Sequence, residues 1–340
     1  MFRLDQKLER IRSGNYSRSD FIIADAKDGD MGPSITSCGP KREKDGSWNR
    51  YYTRAEFLEN IRAVVEQDIV DIMLTSASNM ETLTDMGVFR DSAIKPAIRA
   101  NDTTDVWVGR GASYVQQPSR AFRTASLSRV TTGSIDPAPG APITGTDLGL
   151  YSITFNNDLE HDMASLEAFT DFRDDAARNN FKYFLEVFNP NVACGVDPDV
   201  LPHYINDCIM RCLAGVMKAD RPRFLKIAYN GPKALEELAS YDTSLVVGIL
   251  GGGAGTTRDC FELLSQAERY GARVALFGRK INLAEDPLAM ITFMRAITDG
   301  ALQPVEAVKA YHGSLQKSGI KPLRDLAADS EITEKPLKGG

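Results

Sequence analysis

Eight short apolar runs, at residues 21–25, 69–74, 94–100, 148–155, 183–188, 224–228, 245–250 and 274–277, are separated by longer stretches with helical spacing. A strand that is apolar on both faces must be covered on both faces, which crossover helices do for a parallel sheet. Eight such units close most economically into an α/β TIM (β/α)8 barrel. A chain of 340 residues holds that barrel as one domain, expected over residues 1–312. The remaining 313–340, with scattered charges, Pro322 and Pro336, reads as a C-terminal tail that wraps the surface.

Helix-start signals support the alternation. Thr53 and Glu56 have capping-box spacing ahead of Phe57, Ile61 and Val65, and Thr256 and Asp259 repeat it ahead of Phe261, Leu264 and Ala267. Asp197 before Pro198 predicts a third start, followed by an apolar stripe of Ile205, Ile209, Leu213 and Val216. Two connections are long for a simple barrel: 29–49 after the first strand and 101–147 after the third. Loops at the catalytic rim supply substrate contacts, so 101–147 is expected to cover the substrate or meet a neighbouring subunit of a homo-oligomer.

Composition removes other classes. With 40 Lys plus Arg against 46 Asp plus Glu, the net charge of −6 argues against nucleic acid or an anionic membrane as partner. No stretch reaches about 18 uninterrupted apolar residues, and the charged start of the chain is not a secretory signal. Five cysteines without a CxxC pair fit reduced thiols and a cytoplasmic location. His161, His203 and His312 form no local metal motif, which argues against a metal site, and the lysine chemistry considered next needs no nicotinamide, flavin or metal cofactor.

Candidate chemistry centres on FLKIAYNG, residues 224–231. Lys226 falls near the carboxyl end of the sixth run, where barrel enzymes place their reacting groups. A partly buried lysine can attack a carbonyl, and the protonated Schiff base then withdraws electrons from the adjacent carbon, making carbon–carbon cleavage accessible without a metal. A solvent-facing structural lysine explains the same letter. Glu186, alone in the apolar YFLEVFNPN, is costly to bury unpaired; it either faces the barrel mouth, holding Lys226 or substrate hydroxyls, or makes a structural ion pair. Asn101 and Asp102 follow IKPAIRA, where they meet substrate hydroxyls or form a turn. Gly251, Gly252 and Gly253 permit close backbone approach, and Gly255 leads into a helix whose N–H groups suit an anion. Gly278 and Arg279 end the next unit and offer further amides and a guanidinium to phosphate, although a strained structural loop is the alternative for the first cluster.

FLKIAYNG resembles the strand-six lysine motif of the class I aldolases of the DeoC/LacD and archaeal-type fructose-bisphosphate aldolase group. The block from Val246 to Ile281, VVGILGGGAGTTRDCFELLSQAERYGARVALFGRKI, is similar to the last two strand–loop units of that group, whose glycine-rich turns bind a substrate phosphate. In FIIADAKDGDMG, Asp25 is similar to the active-site aspartate of the first strand; in LYSITFNND, Tyr151 stands against the catalytic tyrosine. The resemblance runs in order over roughly residues 18–300. It implies that Lys226 forms the Schiff base, Asp25 orients a substrate hydroxyl, and Tyr151, a water or the rival phenol Tyr229 handles the proton. The expected activity is aldol cleavage of a phosphorylated ketose or related hydroxyketone. A sugar-phosphate isomerase or epimerase, and a phosphosugar-binding barrel without activity, are the alternatives.

Overall fold

The apolar runs form one closed parallel sheet in which neighbours in sequence are neighbours in space. Its strands are β1 (Ile22–Lys27), β2 (Ile72–Thr75), β3 (Lys95–Arg99), β4 (Leu148–Thr154), β5 (Lys182–Phe188), β6 (Leu225–Ile227), β7 (Gly248–Leu250) and β8 (Val274–Phe277), with β8 closing on β1. The expected eight-stranded barrel is therefore present. The computed structural model describes residues 1–106 and 109–339; Trp107 and Val108 of the expected rim segment, and Gly340 of the expected tail, lie outside the described residues.

Two apolar layers follow from the alternation of side chains along each strand. Ile22, Ala24, Ile72, Leu74, Leu148, Leu150, Phe184, Phe224, Val274 and Leu276 fill the interior. The opposite set, including Ile23, Tyr151, Leu185 and Ile227, packs outward against the helices. Helix α1 (Arg3–Arg12) puts Leu4 and Leu8 into the interior cluster and stops the amino-terminal end of the barrel.

Both capping boxes are formed. Thr53 starts α2 (Arg54–Gln67), and Thr256 starts α8 (Thr257–Arg269), each exchanging hydrogen bonds with the acidic residue three positions on. Between them lie α3 (Ala77–Asp85), α4 (Leu127–Thr132), α5 (Leu159–Arg178), α6 (Leu201–Leu213) and α7 (Pro232–Tyr241). The start expected at Asp197 is displaced: α6 begins at Leu201 with Pro202 in its first turn, while the Asp197 carboxylate accepts from the Asp199 N–H at 2.8 Å. The aspartate closes a local turn and its proline sits outside the helix.

Past β8 come α9 (Arg279–Asn282), α10 (Pro287–Thr298), α11 (Pro304–Ser318) and α12 (Leu326–Asp329). The expected boundary at residue 313 falls inside α11, whose Tyr311 and Leu315 are fully buried in the outer core. Of the long connections, 29–49 holds a hairpin of Pro40–Arg42 with Trp48–Tyr51, and 101–147 holds a short ladder of Asp102–Thr103 with Ala121–Phe122 followed by α4. Among the described residues, no helix is long and apolar enough to cross a membrane.

Candidate active site

Strand register aligns the polar layer at the open end. Ser152 of β4 pairs with Glu186 of β5, which pairs with Lys226 of β6, so three adjacent strands present one side chain each at the same height on the inner face. Apolar residues fill the levels below, and all three polar side chains are nearly shut off from water. The Lys226 ammonium lies 2.6 Å from Glu186 Oε1, and the Ser152 hydroxyl donates to Glu186 Oε2 at 2.7 Å. A buried carboxylate needs such partners, and here one comes from each neighbouring strand.

Arg99 and Asp28 complete the cluster. Arg99 reaches in from the end of β3, donating to Asp28 Oδ2 at 2.8 Å and to the Ser152 hydroxyl at 3.2 Å, with Glu186 at 3.7 Å. Burial pushes the Asp28 carboxyl up, but the charges of Arg99 and Lys226 and the Arg99 hydrogen bond outweigh it and hold Asp28 below the ordinary aspartate range. Burial pulls the Arg99 guanidinium down, and Asp28 and Glu186 more than reverse that. Two cations and two carboxylates thus face one another in a site largely withheld from solvent.

Lys226, Glu186, Arg99 and Asp28 line a cavity of about 510 Å³, together with Gly251, Gly252, Gly278, Arg279, Asp105 and residues of the β1 loop. Two glycines have steric reasons to be there. Gly252 has φ +64°, and a Cβ on Gly278 would come within 2.8 Å of the Ala26 carbonyl oxygen. Gly253 is not part of the lining. The α8 amino terminus, expected to offer free N–H groups, is closed by the protein's own carboxylates: Thr256 N–H donates to Asp259 and Thr257 N–H to Asp329.

Three sequence candidates point elsewhere. Asp25 shares the outward parity of Phe21 and Ile23, is fully buried in the wall, and is held by Lys27 at 2.9 Å. Burial pushes its carboxyl up, with Lys27 pulling against it. Tyr151 faces outward from β4 and stacks on Phe172 with ring centroids 4.3 Å apart. Tyr229 also packs outward, its hydroxyl donating to Gln266 of α8 at 2.6 Å. The inner and outer faces of a covered strand are both apolar, so the apolar runs around Asp25 and Tyr151 did not disclose their parity.

Asn101 and Asp102 have local partners. Asn101 clamps β4 at the cluster, its side chain accepting from the Ser152 N–H at 2.7 Å and donating to the Ser152 carbonyl at 2.9 Å. Asp102 accepts from Thr124 at 3.0 Å. The residues missed by sequence reasoning are Arg99, Ser152 and, as a cavity residue, Asp28. Counting by twos from Ala97, Leu150 and Ala24 to Arg99, Ser152 and Asp28 would have found them.

Each histidine contacts a carboxylate, His161 with Asp158, His203 with Glu237 and His312 with Asp329. No group of three or more His, Cys, Asp or Glu side chains fit to hold a metal occurs among the described residues.

No family model and no curated protein matches the chain. Solved structures do. An archaeal fructose 1,6-bisphosphate aldolase is 14% identical with a TM-score of 0.60, the match covering 87% of this chain and 99% of that one. A structure of an archaeal fructose-1,6-bisphosphate aldolase whose catalytic lysine is covalently bound to the carbinolamine intermediate is 15% identical, with a TM-score of 0.61 and coverage of 87% and 100%. The fructose-bisphosphate aldolase from Slackia heliotrinireducens is 12% identical, with a TM-score of 0.64 and coverage of 92% and 90%. At these identities the likeness is one of fold: the chain has a barrel of the kind found in these aldolases, over most of the length of each.

Proposed function

We propose that the protein is a class I, Schiff-base aldolase that reversibly cleaves a phosphorylated ketose or related hydroxyketone. The observation that carries this reading is the Lys226–Glu186 pair, 2.6 Å apart in the inner polar layer, in a cavity whose other wall is built from the glycine loops and Arg279. A primary amine, a proton acceptor and an anion cradle share one cavity.

In this reading Glu186 takes a proton from Lys226, whose free amine adds to the ketone carbon. Loss of the carbinolamine oxygen as water gives the iminium. A carboxylate, Glu186 or Asp28, removes the proton of the hydroxyl on the far side of the scissile bond. That carbon–carbon bond then breaks, its electron pair passing into the iminium to form an enamine while an aldehyde leaves. Protonation of the enamine carbon and addition of water to the iminium release the second product and restore Lys226. Arg99 holds Asp28 in its charged form, and Gly251, Gly252, Gly278 and Arg279 hold the phosphate.

Borohydride reduction in the presence of dihydroxyacetone phosphate tests the reading. The expected result is a mass increase on the peptide that contains Lys226. Lys226→Arg, which keeps a cation beside Glu186 but no nucleophilic amine, should fold and lose the adduct. An adduct on another lysine with turnover intact overturns the assignment. Interconversion of sugar phosphates without a reducible adduct selects the isomerase, and reversible binding without turnover selects the inactive barrel.

A further inference from the structure

A second cavity, of about 660 Å³, opens at the amino-terminal end of the barrel, away from the polar layer. Its charged lining consists of Arg12, Arg173, Lys182, Lys218, Arg221 and Arg223 against one carboxylate, Asp220. The cations converge from separate elements. Arg12 ends α1, Arg173 lies on α5, Lys182 opens β5, Lys218 follows α6, and Arg221 and Arg223 lead into β6.

Half of them are neutralised nearby. Lys182 pairs with Asp147 at 3.0 Å, Arg221 with Asp242 at 2.9 Å and Arg223 with Asp5 at 2.9 Å. Arg12, Arg173 and Lys218 have no ion-pair partner among the described residues. The Arg12 guanidinium donates to the Arg223 carbonyl at 2.6 Å. Arg173 lies 5.1 Å over the Phe169 ring and donates to Thr170, while its Nε is buried without a hydrogen-bond partner. Partial burial, and then the like charge of Arg223, pull Arg12 below the ordinary arginine value. Cations gathered in a concavity of a chain with net charge −6 repel one another until an anion joins them.

The shape selects a small ligand. Its volume falls within the range of about 300–1,000 Å³ typical of small-molecule sites. Ala176, Phe181 and Leu245 supply an apolar wall beside the cations. A long phosphate backbone would have to compete with Asp5, Asp147 and Asp242, the carboxylates that pair with half of these cations. Guanidinium groups at different angles suit the several oxygens of a phosphate. We propose that this basal cavity binds a small phosphorylated metabolite carrying at least two anionic groups, at a site separate from the catalytic mouth.

Calorimetric titration with inorganic pyrophosphate at low salt tests it, comparing the wild type with the exposed pair Arg12→Gln/Lys218→Gln and with Arg279→Ala at the mouth. The expected result is at least a tenfold loss of pyrophosphate affinity in the basal double variant, with its melting temperature and borohydride adduct unchanged. Arg279→Ala should keep the basal binding event, so failure here is separable from failure of the aldolase reading. ADP, which adds an organic group to the same diphosphate, should bind more tightly than pyrophosphate through the apolar wall. Unchanged pyrophosphate affinity in the double variant, or no binding at millimolar concentration, overturns the proposal.

Discussion

Replacing Tyr151 by Phe separates the geometry of this barrel from the expectation that its family resemblance raises. The ring is 1% exposed and lies between Phe172, at 4.3 Å, and Phe169, at 5.2 Å, and the hydroxyl has no hydrogen-bond partner among the described residues. Phe keeps both ring contacts, each worth about 0.5–1.5 kcal/mol beyond simple burial. What is lost is a hydroxyl that gains nothing from the protein, and deleting such a group is nearly neutral. A phenol acting as general acid contributes roughly 10²–10⁴ in rate, or about 3–5 kcal/mol. The outward geometry instead predicts a change below about threefold, near 0.6 kcal/mol. Burial also raises the Tyr151 phenol above its ordinary value, away from proton exchange at neutral pH. The step is observable without knowing the aldehyde product, by following deuterium uptake into dihydroxyacetone phosphate in D2O by NMR, alongside the melting temperature. A loss of 100-fold or more with unchanged melting would put the phenol back in the reaction and refute the parity reasoning. Tyr151→Ala gives the opposite pattern, losing about 3–5 kcal/mol of stability through the cavity it leaves.

Other perturbations test different parts of the site. Asp28 is held below the ordinary aspartate range in the folded state, so its contribution to stability is fully present above the unfolded value, about 3.9, and disappears as pH falls through the folded value. The melting gap between wild type and Asp28→Asn should therefore be widest near neutrality and close on acidification; a gap that widens in acid would contradict the sign. Arg279→Ala should weaken a phosphorylated ligand by roughly 2 kcal/mol, more than tenfold, and a matched non-phosphorylated analogue much less. Equal losses in calorimetry would point to general damage. Lys280 is fully buried and pairs with Glu334 at 2.7 Å, so Glu334→Ala should lower stability by about 2–4 kcal/mol. Adding Lys280→Met to that variant should recover much of the loss in thermal melts, and failure to recover it would remove the stranded charge as the cause.

The barrel was legible because both determinants are local. A run such as VALF at 274–277 is apolar throughout, and a box such as Thr256–Asp259 marks where the next helix begins. Lys226 and Glu186 were legible for another reason: a charge in a buried strand must find a partner, and on adjacent parallel strands the partner lies across the ladder. Asp25 followed the same logic to a different end, since its partner Lys27 stands two residues along the same outer face. Side-chain size does not tell the two faces apart, since the interior holds Phe184 and Phe224 beside Ala24 and Ala97, while the outer face holds Phe21 and Tyr151 beside Ala100 and Ala275. The path of 304–318 was hidden by its polar surface and by Gly313, and became a core helix through Tyr311 and Leu315. The α8 amino terminus escaped because one of its partners, Asp329, is supplied 72 residues away.

The alignment of Ser152, Glu186 and Lys226 bears on how such a barrel can be altered. Their spacing is set by backbone pairing between β4, β5 and β6, and none of the three belongs to a connecting loop. In the aldolase proposed above, substrate choice and reactivity are thus carried by parts of the chain that can vary independently. On that reading, exchange of the rim segment after β3 beyond the Asn101 clamp would redirect which aldehyde is accepted while the amine and its carboxylate keep their separation, whereas a one-residue insertion within β6 would turn Lys226 into the wall and end the proposed chemistry for every substrate at once.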